Sequence, residues 1–316
     1  MDDKQVKVRT LLDYFHYRQL CGDQQSLERI IGEPAINRPG FELSGFFVGE
    51  PSSRINIIGE KENRFIATMA PEAQRKAFDY LTNEPVPMIL ISRDLPLPPI
   101  LKQYADAKNF PVFSSFAPTS SLVVEIITFL EEYFAPVESL HGELLQVNGM
   151  GVLLEGESGV GKSEIALELL KRGHILIADD RVDVFRAHNH ITGMAPEILR
   201  SMLEIRGVGV IDVTRMFGIA SAAEKTQIDC VISLQRWRDD TDFDRLGLDN
   251  AQTETIFGID IPKITIPVRE GRSIAVIIES AVTNFIMKAR GIDSSKEFDD
   301  RVIGYIREQE RKEGQK

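Results

Sequence analysis

The chain is predicted to be an α/β protein of two parts: a small N-terminal α/β domain over residues 1–134 and a C-terminal domain over residues 135–316 built around a phosphate-binding loop. Three observations lead there. A length of 316 residues suits two hydrophobic cores better than one. Short apolar runs alternate with amphipathic segments, the pattern of sheets covered by helices. The stretch "GMGVLLEGESGVGKSEIALELLKRG" passes from an apolar strand through a glycine-rich turn into a good helix former.

In the first part, "FELSGFF" and "RINIIG" read as strands. "APEAQRKAFDYLTN" reads as a helix, with Pro71 near its start and apolar residues at helical spacing. "VPMILIS" is a short apolar strand, ended by the prolines of "DLPLPPI". "PILKQYADAKN" follows as a helix and "PVFSS" as a strand. "TSSLVVEIITFLEEYF" places Leu122, Ile126, Phe129 and Tyr133 on one stripe, with Thr119 or Ser120 able to cap it, and is expected to be a connecting helix. The boundary falls in "APVES", Ala135 to Ser139. Beyond it, "GMGVLLEG", "HILIADD", "CVISL", "KITIPV" and "SIAVIIESA" are strand candidates, and the tail from Ser294 is a charged amphipathic helix.

Composition narrows the function classes. With 37 Lys plus Arg against 48 Asp plus Glu, the net charge of −11 argues against a general nucleic-acid binder. Cys21 and Cys230 are too far apart in sequence, and too few, for a disulfide framework or a zinc site. "MDDKQVKVRT" has no apolar core of a secretory signal, and no run approaches a membrane span, so a cytoplasmic protein is expected.

Residues Gly156, Glu157, Ser158, Gly159, Val160, Gly161, Lys162 and Ser163 match G-x-x-x-x-G-K-[ST] in full. The glycines let the backbone approach an anion without Cβ collisions, and successive N–H groups form a nest. The helix that follows adds its positive end. Lys162 supplies a cation for the outer phosphates and Ser163 a hydroxyl for Mg²⁺. The loop alone does not name a reaction, since ATPases, GTP switches and kinases all use it; N-K-x-D, the common guanine-reading pattern, is absent.

Other residues supply candidates for the remaining roles. Asp179 and Asp180 close a buried strand, where ligands sit in a doubly wound sheet. One carboxylate can hold a metal through water while the other takes a proton from an incoming hydroxyl; the bland alternative is a solvated turn. If the strand persists, only one of the two faces the phosphate. His141 stands before the strand into the loop, where a lone histidine is more often structural. In "EIRGVGVIDV", Glu204 can ligate Mg²⁺ and Arg206 can meet phosphate, against a charged helix end followed by a glycine turn and a strand. "DDTDFDRLG" suggests a calcium loop but fails, since Arg245 stands where Gly is required and Ala251 where Glu is required. Arg245 is itself a candidate phosphate ligand. "PVREGR" brings Arg269 and Arg272 beside a glycine, as an anion-gripping loop or a charged turn.

In order and spacing, "HGELLQVNGMGVLLEGESGVGKSE", "HILIADDRVDV", "EIRGVGVIDV" and "PVREGR" resemble the bacterial HPr kinase/phosphorylase family over most of residues 136–316. "EIRGVGVIDV" is the most diagnostic, because phosphate loops are widespread. One departure is Glu270, which stands where the family usually has Pro. The resemblance implies a C-terminal P-loop kinase domain resembling phosphoenolpyruvate carboxykinase. It implies phosphorylation of a serine on HPr, the small carrier of the sugar phosphotransferase system, from ATP or pyrophosphate with Mg²⁺ or a related divalent ion. Phosphorolysis by inorganic phosphate, homohexamers and control of carbon catabolite repression are implied too. By motif, His141, Lys162, Asp180 and Arg245 would be catalytic, and Ser163 and Glu204 would bind the metal. Glu204 to Val213 would serve both reactions; Pro267, Val268, Arg269, Glu270, Gly271 and Arg272 would serve chiefly dephosphorylation. Judged on the residues alone, a P-loop small-molecule kinase and a nucleotide-dependent switch stay open as alternatives.

Overall fold

The computed structural model describes residues 6–237, 252–269 and 271–313. The chain divides into two compact units, Met1–Ala135 and Pro136–Lys316. Both are α/β.

The first unit runs β1 (Val6–Lys7), α1 (Val8–Phe15), β2 (Arg18–Cys21), β3 (Ile30–Ile31), β4 (Ile36–Asn37), α2 (Gly40–Leu43), β5 (Ile55–Ile58), α3 (Glu60–Thr68), α4 (Pro71–Leu81), β6 (Ile89–Ile91), α5 (Pro99–Ala107), β7 (Val112–Ser114) and α6 (Thr119–Phe134). Its five-stranded sheet has the order β2–β7–β6–β5–β4, parallel from β4 to β7 with β2 antiparallel at the edge. Both faces are covered, which is why its central strands β5 (INII) and β6 (ILI) are buried along their whole length and largely apolar. On one face Ile58, Ile89, Ile91 and Val112 pack with Phe78 and Leu81 of α4 and Leu101 of α5. On the other, Ile55, Ile57, Leu90 and Phe113 pack with Leu11 of α1 and Leu122, Ile126 and Leu130 of α6.

Two expectations change here. α6 is part of this unit's core rather than a free connector, and the residue before it, Pro118, occupies the cap position without a side-chain cap bond. Thr119 instead shares a 2.7 Å hydrogen bond with Ser92. "FELSGFF" is no strand: it forms α2 and a turn in which Gly45 is left-handed (φ 88°) and Phe41 and Phe46 are exposed. Its apolar spacing imitates a strand, but Gly45 reverses the chain.

The second unit runs β8 (Val137–His141), β9 (Glu143–Val147), β10 (Met150–Gly156), α7 (Lys162–Lys171), β11 (Ile175–Ala178), β12 (Arg181–Ala187), β13 (His190–Met194), β14 (Met202–Ile205), β15 (Gly209–Asp212), α8 (Val213–Phe217), β16 (Lys225–Gln227), β17 (Cys230–Arg236), β18 (Gln252–Ile256), β19 (Ile259–Val268), α9 (Ile274–Ala289) and α10 (Ser294–Glu313). A six-stranded sheet has the order β11–β9–β10–β17–β19–β18, and a four-stranded one the order β16–β13–β12–β8. One face of the larger sheet packs Ile165, Ala166 and Leu169 of α7 and Ile274, Ile278 and Val282 of α9. Its other face packs Leu144, Leu153, Ile177 and Val231 against Val182, Val184 and Ile191 of the smaller sheet.

The larger sheet is therefore mixed and covered by helices on one side and a sheet on the other, not doubly wound. "SIAVIIESA" is also corrected, since it opens helix α9 rather than forming a strand. A short apolar run has no decisive period; the continuation through Ala289 and the burial of Ile274, Ile278 and Val282 at helical spacing settle it. Cys21 and Cys230 are buried free thiols, pushed up to about 11 and about 12 by burial. No helix among the described residues is long and apolar enough to cross a membrane.

Gly151 marks a close approach inside this unit. A Cβ there would fall 1.7 Å from the carbonyl oxygen of Gln227, while the Gly151 N–H donates to Asp229 Oδ2 at 2.8 Å. Gly151→Ala is expected to destabilise the C-terminal unit by about 3 kcal/mol, read as a lower urea midpoint. An unchanged midpoint would show that the backbone yields there at no cost.

Candidate active site

The site lies at one edge of the larger sheet, and strand direction puts it there. β10 ends at Gly156 and β11 at Ala178, both antiparallel to β9 and so parallel to each other. β9 begins at that same edge, with Glu143 opposite Leu154. The chain crosses between the two sheets twice at this edge. Gly142 joins β8 to β9, and Asp179 and Asp180 join β11 to β12. The crossings are stitched by the Gly142 N–H, which donates to the Asp180 carbonyl at 3.1 Å.

Seen in three dimensions, the phosphate loop separates into lining and support. Ser158, Gly159, Gly161, Lys162 and Ser163 line a polar cavity together with His141, Glu143, Asp179, Asp180, Glu204 and Arg206. Gly156, Glu157 and Val160 do not line it. A Cβ on Gly156 would meet the Leu234 carbonyl at 2.7 Å, so this position must be bare for the loop to lie against β17. The Glu157 carbonyl closes the turn by accepting from Val160 N–H, and Val160 is anchored in the core under the loop. Lys162 is buried, its Nζ donating to the Gly156 carbonyl at 3.0 Å. α7 starts at Lys162, so its unpaired first-turn amides add positive potential on the loop side of the cavity.

Asp180 adopts a left-handed backbone (φ 60°), a conformation that Asp tolerates better than most side chains. That kink ends the strand early, so the expected alternation does not operate and both aspartates line the cavity. Asp180 is exposed, and its Oδ1 lies 3.2 Å from His141 Nδ1. His141 thus has a partner that its isolated position in sequence did not reveal. Asp179 points inward, and its Oδ2 accepts the Glu204 N–H at 2.7 Å. Burial raises the Asp179 pKa, with help from the charges of Asp180 and Glu204, while the Glu204 N–H works against it.

Glu143 was not singled out from the sequence. It is 1% exposed, accepts from Ser163 Oγ at 3.0 Å, and is pushed up to about 8 by burial and the nearby Asp179 charge. A buried carboxyl one residue past "HG" carries no motif of its own; only the strand direction of β9 aims it at the loop.

Arg206 leaves the β14–β15 turn to reach the loop tip. A Cβ on Gly159 would sit 3.1 Å from Arg206 Nη1 and 3.3 Å from Arg236 Nη2, and Arg236 donates to the Gly159 carbonyl at 2.9 Å. Arg236 is a second residue not foreseen. Pro267 and Val268 pair with Gln235 and Arg236 across β17 and β19, and Arg269 stacks on Trp237 at 5.4 Å. Pro267, Val268 and Arg269 are therefore at the same sheet edge but do not line the cavity. Glu270, Arg245 and the acidic stretch at 240–251 lie outside the described residues.

The donors facing Ser163 are hard oxygens, the set that suits Mg²⁺. Among the described residues, no three His, Cys, Asp or Glu side chains are placed to hold a metal by themselves. Mg²⁺ at a phosphate site usually takes only one or two protein ligands, phosphate oxygens and water completing its shell. Ser163 and Glu204 are the residues that would hold it.

In metal-free buffer the buried Glu143 makes stability fall with rising pH. Its folded pKa of about 8 lies above the ordinary 4.5, so the folded chain binds this proton more tightly. The group's contribution is full below the lower value and is lost as pH rises through the higher one. Glu143→Gln, always neutral, is expected to melt above the parent at about pH 9 and to lose that advantage at about pH 5. An advantage of equal size at both pH values would contradict the shift.

Residues 6–130 match the family model of the HPr serine kinase N terminus, and residues 132–302 that of the HPr serine kinase C-terminal domain. The HPr kinase/phosphorylase of Lactobacillus gasseri is 41% identical over 98% of this chain and 97% of its own length. That of Pediococcus pentosaceus is 42% identical over 97% and 99%. A solved structure of the Hpr(Ser) kinase/phosphatase from Coxiella burnetii matches 51% of this chain and 98% of that one, at 35% identity and a TM-score of 0.46. With both of its halves matched and relatives of this identity along nearly its whole length, the chain belongs to the HPr kinase/phosphorylase family of bifunctional enzymes.

Proposed function

We propose that the chain transfers a phosphoryl group from ATP or pyrophosphate to a serine of HPr, and removes it again with inorganic phosphate, releasing pyrophosphate. The observation that carries this is the placement of Asp180: an exposed carboxylate on a kinked crossover, facing the same cavity as Lys162 and the loop amides. A module that only bound nucleotide would have no use for it.

In the forward direction the loop amides and Lys162 hold the outer phosphates, and Asp180 accepts the serine proton as the phosphoryl group moves in line. His141, 3.2 Å from Asp180, orients that carboxylate. Arg206, with Arg236 bracing the loop tip, adds positive charge where negative charge spreads in the transition state. In reverse, the loop holds inorganic phosphate and Asp180 returns the proton to the serine oxygen, as microscopic reversibility requires. A bound Mg²⁺ supplies charge neutralisation and orients the phosphates.

Recognition through backbone amides needs little from adenine, which supports pyrophosphate as an alternative donor. The acidic balance of the chain supports a protein acceptor over nucleic acid. A catalytic role for Arg245, a dephosphorylation role for Pro267 to Arg272, a cytoplasmic homohexamer and control of carbon catabolite repression are supported by the family likeness.

Mixing the protein with HPr, ATP and Mg²⁺, then adding inorganic phosphate, tests the reading directly. Mass spectrometry is expected to show a phosphate appearing on HPr and then leaving with pyrophosphate as co-product. Label arriving on a small metabolite instead would replace the reading. Asp180→Ala is expected to suppress both directions; loss of one alone would sink the shared acid/base role. Lys162→Ala is expected to lower turnover roughly 10³-fold. Arg269→Ala and Arg272→Ala are expected to harm phosphorolysis more than kinase activity, and equal losses would count against a phosphate-gripping role.

A further inference from the structure

Beneath the phosphate loop, Glu143 combines three properties that do not ordinarily occur together. It is almost wholly buried, at 1% exposure. It lines the polar cavity. Its Oε1 accepts the Ser163 hydroxyl at 3.0 Å, while its Oε2 is buried and has no hydrogen-bond partner. An unpaired buried carboxylate oxygen is costly, and native structures rarely carry one without a use. Nothing in the packing lets it escape, because Glu143 is held in the β9–β10 ladder opposite Leu154.

The chemistry of a serine ligand explains what such a group does. A hydroxyl has one proton and two acceptor lone pairs. To offer a lone pair to a cation it must point its proton elsewhere, at an acceptor. Glu143 Oε1 is that acceptor for Ser163. Asp179 plays the matching part on the other side, its Oδ2 holding the backbone N–H of Glu204 at 2.7 Å. Asp179 thus holds the backbone that carries Glu204 rather than its side-chain carboxylate.

Resting on the reading of Ser163 as a cation ligand, we infer that Glu143 is a positioning residue of the divalent-cation site. It accepts the Ser163 hydroxyl proton on Oε1 and so fixes that hydroxyl with its lone pairs toward the cavity. It acts through Ser163 and touches neither phosphate nor the acceptor serine. Partners of this kind commonly change metal affinity about 10–100-fold when removed.

The test is Mn²⁺ binding by electron paramagnetic resonance, with a non-hydrolysable ATP analogue present, on the full chain. Glu143→Val is expected to weaken Mn²⁺ binding about 10-fold or more. Glu143→Gln, which keeps an acceptor oxygen but no charge, is expected to fall between Val and the parent. Ser163→Ala is expected to weaken binding too, and the double variant to show less than the product of the single effects, because one residue works through the other. Melting without metal checks that each variant is folded, and Gln keeps the test alive if Val is not. Parent-like Mn²⁺ affinity in both Glu143 variants would overturn the inference, as would fully independent effects in the double variant. If Ser163→Ala itself bound Mn²⁺ like the parent, the cation reading of the site would fall and this inference with it. Loss at Ser163 alone would overturn only the role of Glu143.

Discussion

The backbone hydrogen bond from the Gly142 N–H to the Asp180 carbonyl ties together two neighbouring places where the chain leaves one sheet for the other, between the Arg181–His141 and Ala178–Leu144 pairs. Everything chemical in the C-terminal unit is arranged around that stitch. On one crossing it sets His141 and Glu143 either side of Gly142; on the other it sets Asp179 and Asp180 at a kink. A Cβ at Gly142 would meet the Leu154 carbonyl at 2.7 Å, so the crossing needs a bare residue to pass so close to β10. The result is a polar cavity whose groups come from the ends of rigid strands rather than from long loops, which fixes distances between acid, base and phosphate grip.

The cavity is electrostatically two-sided. Above are the loop amides, the start of α7, Lys162 and Arg206. Below are carboxyls: Glu143 and Asp179 buried, Asp180 and Glu204 exposed. Burial pushes both inner acids upward in pKa, so without a cation the floor is most at ease when partly protonated. A divalent cation, once bound as proposed, would relieve that crowding of negative charge by supplying counter-charge where the protein has concentrated acids. The arrangement trades stability of the empty site for affinity toward its ligands, a common feature of functional sites.

Much of this was legible beforehand. The phosphate loop is contiguous, so its eight residues announce themselves, and strand-before, helix-after context is local too. The runs Ile55–Ile58, Pro71–Leu81, Pro99–Ala107 and Met150–Gly156 declare their type by period, Pro placement or uniform apolarity. The failures are equally physical. "SIAVIIESA" lacks a period that separates strand from helix, and "FELSGFF" has strand-like spacing broken by a left-handed glycine. α6 joins the first core because its stripe is matched by Leu11 and Leu90, residues far away in sequence, as well as by Phe113.

The amino-acid sequence by itself determined the phosphate cradle, the two-part α/β organisation and the family, because those depend on neighbours along the chain. Only the tertiary structure decided which carboxylates serve the cradle. His141 finds Asp180, Glu143 finds Ser163, Glu204 finds Asp179, and Arg236 finds Gly159, across separations that no local pattern encodes. Strand order and direction bring these ends to one edge of one sheet, and sheet pairing is settled by long-range burial rather than by adjacent residues.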